Sequence, residues 1–148
     1  MPIGSIANDP KTPFHVYEFV FNERVFYVGS THHPVRSGGR WGHVRNLVEH
    51  EKRGTLKPAK KLDLNRKSNR VIASLIYAGL PEFSVNIPWR GIGKVQGEKE
   101  EKAQILKRLS EGCVLANIRD NPQPASVEEI LRYIGLAANA ADRRSGEE

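Results

Sequence analysis

Two runs rich in aromatic and β-branched residues, Phe14-His15-Val16-Tyr17-Glu18-Phe19-Val20-Phe21 and Val25-Phe26-Tyr27-Val28, are separated by only Asn22-Glu23-Arg24. Runs of this composition on either side of so short a polar segment read as a β-hairpin. If the three polar residues form the loop, Phe21 pairs with Val25 and Phe19 with Tyr27. The odd-numbered residues then share one face, and Tyr17 lies diagonally beside Tyr27. Both phenols point the same way, although strand tyrosines taken singly are ordinarily packing residues.

The rest of the chain supplies helices and one more strand. Trp41, Val44, Leu47 and Val48 form an apolar stripe that predicts a helix over residues 39–53, stopped by Gly54. Arg40 and His43 fall one turn apart on it, so their side chains can meet. Residues 55–70 hold Lys57, Lys60, Lys61, Arg66, Lys67 and Arg70 with few apolar residues, the pattern of a solvated connection. Ser68 or Asn69 is placed to cap a helix running through Val71, Ile72, Leu75 and Ile76 to Gly79. Residues 82–89 alternate Phe83, Val85 and Ile87 with Ser84, Asn86 and Pro88, predicting a third strand that pairs with the hairpin. Residues 91–97 read as a glycine-rich turn, whose third glycine is misplaced for a dinucleotide-binding loop. A helix follows over 98–109 with Ile105, Leu106 and Leu109 inward. Ser126 and Glu129 form a capping box ahead of Ile130, Leu131 and Ile134.

The expected fold is therefore α/β of the α+β kind: a small, mainly antiparallel sheet of about three strands flanked by helices, in a single domain. Residues 1–13 read as an irregular lead-in, 14–122 as the main unit, and 123–148 as a C-terminal helix and frayed tail packed on it.

Composition narrows the partners. Against 17 acidic residues stand 23 Lys and Arg, a net charge of +6 with a pI near 9.6, which favours a polyanion. A single cysteine, Cys113, rules out an internal disulfide framework and fits a reducing, cytoplasmic setting. No run approaches the ~20 apolar residues of a membrane span, so no membrane partner is expected. The five histidines lack HExxH or paired-cysteine spacing, which argues against zinc.

The order Tyr17, Tyr27-Val28-Gly29, Arg40, His43, Glu101 and Asn117 resembles that of the GIY-YIG nucleases over most of the chain, with His15-Val16-Tyr17 as the first motif and Tyr27-Val28-Gly29 as the second. The resemblance implies an endonuclease that hydrolyses phosphodiester bonds in DNA with a divalent cation, Mg²⁺ or Mn²⁺, held by Glu101. It implies catalytic roles for Tyr17, Tyr27, Arg40, His43 and Glu101, with Arg36 as the alternative arginine. Asn117, Arg36 and the basic Lys60, Lys61 and Lys67 are then expected to contact nucleic acid. His15 stands where the first motif usually has glycine, and Ser30 where many members carry lysine. With no appended recognition domain visible, specificity is expected to come from a protein partner or a dimer.

Overall fold

The computed structural model describes residues 12–33 and 37–136. Strands β1 (Pro13–Phe21) and β2 (Arg24–Thr31) form the expected hairpin, and β3 (Ser84–Ile92) adds to the other side of β1, giving a three-stranded antiparallel sheet in the order β2-β1-β3. Among the described residues five helices flank it: α1 (Ser37–Arg53), α2 (Pro58–Leu64), α3 (Lys67–Tyr77), α4 (Lys94–Ser110) and α5 (Val127–Tyr133). Among the described residues no helix is long and apolar enough to cross a membrane.

The hairpin turn differs from the three-residue expectation. Only Asn22 and Glu23 form it, both with positive φ (51° and 63°), the conformation that matches the twist of a tight hairpin. Arg24 belongs to β2, where its guanidinium donates to the carbonyl of Tyr133, while the Asn22 amide donates to Ile134 O at 2.7 Å. Both ends of the turn are thus tied to the C-terminus of α5. Phe21 pairs with Arg24 and Val20 with Val25, and a bulge at Phe26 restores the expected pairing of Phe19 with Tyr27. The bulge lets consecutive residues Phe26 and Tyr27 face the same core.

The sheet is covered on both faces. On one, Phe19, Phe21 and Phe26 pack with Val44, Leu47 and Val48 of α1, Leu64 of α2, Val71, Ile72 and Leu75 of α3, and Ile130 and Leu131 of α5. On the other, Val16, Val25 and Val28 meet Ile105 and Leu109 of α4. Leu106, expected inward, is exposed. Here too lies Glu18, fully buried, with a bidentate salt bridge from Arg108 (2.6 and 2.9 Å) and a hydrogen bond from Gln104 (2.7 Å). This cluster fastens α4 to the middle strand.

Three further expectations need correction. The basic connection contains helix α2, because Leu64 plugs fully into the core and Pro58 starts a helix in front of it. Ser68 and Asn69 do not cap α3, which begins at Lys67; they are buried inside its first turns. The glycine-rich turn is absorbed by its neighbours, since β3 runs to Ile92, α4 starts at Lys94, and Gly97 lies within that helix against the Phe14 ring. The Ser126–Glu129 capping box is present in both directions, and α5 packs into the main core. The expected C-terminal tail and most of the N-terminal lead-in lie outside the described residues.

Candidate active site

Tyr17 and Tyr27 do project from the same face of the sheet. Their ring centroids are 6.3 Å apart, and Phe19 lies between them at 5.3 Å from each. Tyr17 sits opposite Gly29, and its phenol lies across that residue, so that a Cβ there would overlap the Tyr17 ring and its oxygen. A glycine at this position of the second motif therefore has a local steric reason, the passage of the neighbouring strand's phenol.

Arg40 projects from the first turns of α1 over this aromatic group, its guanidinium carbon 5.4 Å from the Phe19 centroid and 5.7 Å from that of Tyr27. From the far side it is held by α3, with Nη1 donating to Asn69 Oδ1 (3.1 Å) and Ser68 Oγ (3.4 Å). The Asn69 amide in turn donates to the carbonyl and carboxylate of Asp63, and Asp63 Oδ2 is 2.6 Å from His43 Nε2. Arg40 and His43 are consequently joined through Asn69 and Asp63. The hydrogen bond from His43 holds the Asp63 carboxyl below its ordinary range, helped by the charges of His43, Arg66 and Lys60 and opposed by burial.

Glu101 approaches from the opposite layer. It is half-buried on α4 and accepts a hydrogen bond from the Ser30 hydroxyl, next to Gly29 on β2. Along β2, Gly29 faces the tyrosines and Ser30 faces α4. The carboxylate thus reaches the rim of β2, the strand whose other face carries Tyr27 and which pairs with the strand that carries Tyr17. Burial raises the Glu101 carboxyl above its ordinary value; the Ser30 bond and Arg119 oppose this, and Asp120 and Glu98 add to it. Burial likewise pushes the Tyr17 phenol up to about 12, reinforced by the Tyr27 phenol and the Glu101 charge and opposed by Arg40.

Asn117 has a structural place rather than a surface one. It is buried, with Oδ1 accepting from Val28 N (3.0 Å) and Nδ2 donating to Val28 O (2.7 Å), while Ala116 N donates to Phe26 O. The segment around it closes the outer edge of β2, satisfying a strand that otherwise ends the sheet. With both ends of its amide engaged by the backbone, Asn117 is unsuited to contact nucleic acid. Asn117→Ala strands one buried donor and one buried acceptor, an expected loss of about 2–4 kcal/mol in a urea melt, with β2 amide exchange accelerated.

Lys60 and Lys61 are exposed on α2, whereas Lys67 is half-buried and lies close enough to Glu129 of α5 to feel its charge. Arg36 lies outside the described residues. Sequence reasoning missed Asp63, Ser68 and Asn69 as partners of His43 and Arg40. His15, at the first motif's glycine position, is buried two residues before Tyr17, and its Nε2 has no hydrogen-bond partner among the described residues.

Among the described residues no three His, Cys, Asp or Glu side chains gather as a metal-ligand group. A hard cation held by one carboxylate, with water and phosphate oxygens completing its shell, needs no such group. Comparison with models of protein families, with curated proteins and with solved structures found no match.

Proposed function

We propose that this chain is a metal-dependent DNA endonuclease of the GIY-YIG type, acting inside the cell. The observation that carries the reading is the convergence at one end of β2: two phenols on one face, a guanidinium over one of them, and a carboxylate at the strand's rim within electrostatic reach of Tyr17.

Phosphodiester hydrolysis needs an activated water, neutralised charge on the phosphorus oxygens and a stabilised leaving alkoxide. Asn69 and Ser68 both engage the Nη1 end of Arg40, so its remaining donors suit a scissile phosphate, and its planar fork matches two oxygens at once. Tyr27, whose ring centroid lies 5.7 Å from the guanidinium carbon, is the candidate base for the attacking water. Tyr17 stays protonated at neutral pH and serves as a hydrogen-bond donor that orients water or phosphate. His43, oriented by Asp63, is placed as a second base or relay.

Glu101 suits a divalent cation. Ser30 engages Oε1 and leaves Oε2 for a ligand, and a carboxylate disfavoured by burial and by the like charges of Asp120 and Glu98 gains from a cation. Mg²⁺ or Mn²⁺ bound there would neutralise phosphate charge and stabilise the leaving oxygen.

A second reading, a nucleic-acid-binding module of the same fold with little or no catalysis, is favoured by two observations. Ser30 stands at the position of the family's lysine and is engaged by Glu101, and the Tyr17 phenol is raised rather than lowered. Supercoiled plasmid separates the two. Nicking with Mg²⁺ and none in chelator is the expected result; binding without cutting selects the module, and neither activity sinks both.

The basic surface makes its own prediction. Replacing Lys60, Lys61 and Lys67 together with alanine is expected to weaken binding to unrelated DNA sequences alike. The salt dependence should flatten by ~0.9 for each phosphate no longer neutralised, most of it from the two exposed lysines of α2. An unchanged slope would put the DNA on another face.

A further inference from the structure

Beside the candidate active site, α1, the segment that follows it and the first turn of α2 line a cleft of about 320 Å³, which shares only His43 with the proposed catalytic residues. Its floor is apolar, made by buried Leu47 and half-buried Leu56. The rings of His43 and His50 line it, and each is fixed by a hydrogen bond, His43 to Asp63 (2.6 Å) and His50 to Thr55 (2.8 Å). The exposed amide of Asn46 also faces the cleft, and Lys57 and Lys60 stand over it with no ion pair among the described residues. An apolar floor, two oriented aromatic rings, one amide able to read a base edge and two cations match the parts of a nucleotide one by one. The volume lies at the low end of the ~300–1,000 Å³ typical of small-ligand sites, enough for one nucleotide rather than a stacked run.

The cleft is also in register with the site. Arg40, His43, Leu47 and His50 follow one stripe of α1, and the seven helical steps from Arg40 to Leu47 rise about 10 Å, close to three steps of ~3.4 Å along a DNA strand. We propose that this cleft takes one unstacked nucleotide of the bound strand, about three steps from the scissile phosphate, with its base over Leu47 and Leu56 and its phosphate against Lys57 and Lys60. The inference rests on the endonuclease reading and narrows it. A strand that must give up a nucleotide to the cleft is recognised best where that nucleotide is already unpaired.

Binding measured in chelator, without cleavage, tests this. Titration of the whole protein with dAMP, followed by amide chemical shifts, is expected to move Asn46, His50, Thr55 and Lys57 saturably, at concentrations at least tenfold below those at which inorganic phosphate does so. Asn46→Trp, a change at an exposed position that fills the cleft, should weaken dAMP at least tenfold. It should also abolish any preference for an oligonucleotide duplex with one unpaired nucleotide over the fully paired duplex. Equal responses to dAMP and phosphate, or an Asn46→Trp protein that binds dAMP as the wild type does, would overturn the proposal. Saturable dAMP binding by a protein that never nicks plasmid supports the cleft and removes only the nuclease reading. Nicking without dAMP binding removes only the cleft.

Discussion

Glu101→Gln is expected to lower metal-dependent nicking by two or more orders of magnitude while leaving the melting transition nearly unchanged. Glutamine keeps the side-chain volume and the helix propensity of α4, and its carbonyl oxygen still accepts from Ser30, so little of the fold depends on the charge. Each ~1.4 kcal/mol of lost transition-state stabilisation is tenfold in rate, and a bound cation supplies several. The pH behaviour gives a second signature. Burial raises the Glu101 carboxyl above its ordinary 4.5, so in the window between 4.5 and the raised value the folded protein takes up a proton that the unfolded chain does not. Stability contributed by this group therefore rises as pH falls through that window, and metal affinity falls, because ion and proton compete for one carboxylate. Wild-type Mg²⁺ affinity should begin to decline at a higher pH than an ordinary glutamate would give. A Glu101→Gln protein that nicks at the wild-type rate would sink the assignment, and Asp120, whose charge already acts on Glu101, would be tested next.

The face shared by Tyr17 and Tyr27 is legible in the sequence because strand alternation is a strict period of two. The bulge at Phe26 is not. One extra residue leaves the composition of the run untouched, and only the pairing Val20 to Val25 reveals it. Helix α2 escapes because Leu64 alone carries its burial amid lysines, so no periodic stripe announces it. Ser68 and Asn69 read as caps for a chemical reason. The short polar side chains that cap helices are the same ones that hold a guanidinium, and only Arg40 arriving from α1 distinguishes the two uses. Asp63 is hidden in a charge run in the same way, its partnership with His43 twenty residues away being set by how α2 turns back along α1. Asn117 stands out by its order in the chain, yet its role follows from β2 needing an edge partner, which no local pattern encodes.

The second large effect is expected at Arg108, on the face of the sheet opposite the phenols. Its guanidinium makes both lateral hydrogen bonds to Glu18, a carboxylate with no exposed surface on the middle strand, and a further bond to Glu111 at 2.9 Å. These bonds hold the guanidinium still more firmly in its charged form. Arg108→Met removes the counter-charge and leaves Glu18 with only the Gln104 amide, which strands a buried charge at a cost of about 3–5 kcal/mol. That is a large share of the ~5–15 kcal/mol that keeps a domain folded, so the denaturation midpoint should fall markedly. Removing both charges tells a different story, because an apolar pair of similar volume has no charge to desolvate. Glu18→Met together with Arg108→Met is therefore expected to recover most of the loss, and a double variant as unstable as the single one would show that hydrogen-bond geometry, not charge burial, dominates. The consequence for function follows from position. Arg108 lies seven residues after Glu101 on α4, and Gln104 lies three after it, so the Glu18 cluster fixes the rotation of that helix about the strand. In the double variant, stability should return while metal-dependent nicking stays depressed, since α4 is free to turn and Glu101 to leave Ser30. Full recovery of nicking along with stability would mean that Ser30 and the apolar contacts of Ile105 and Leu109 hold the carboxylate in place without help from Glu18.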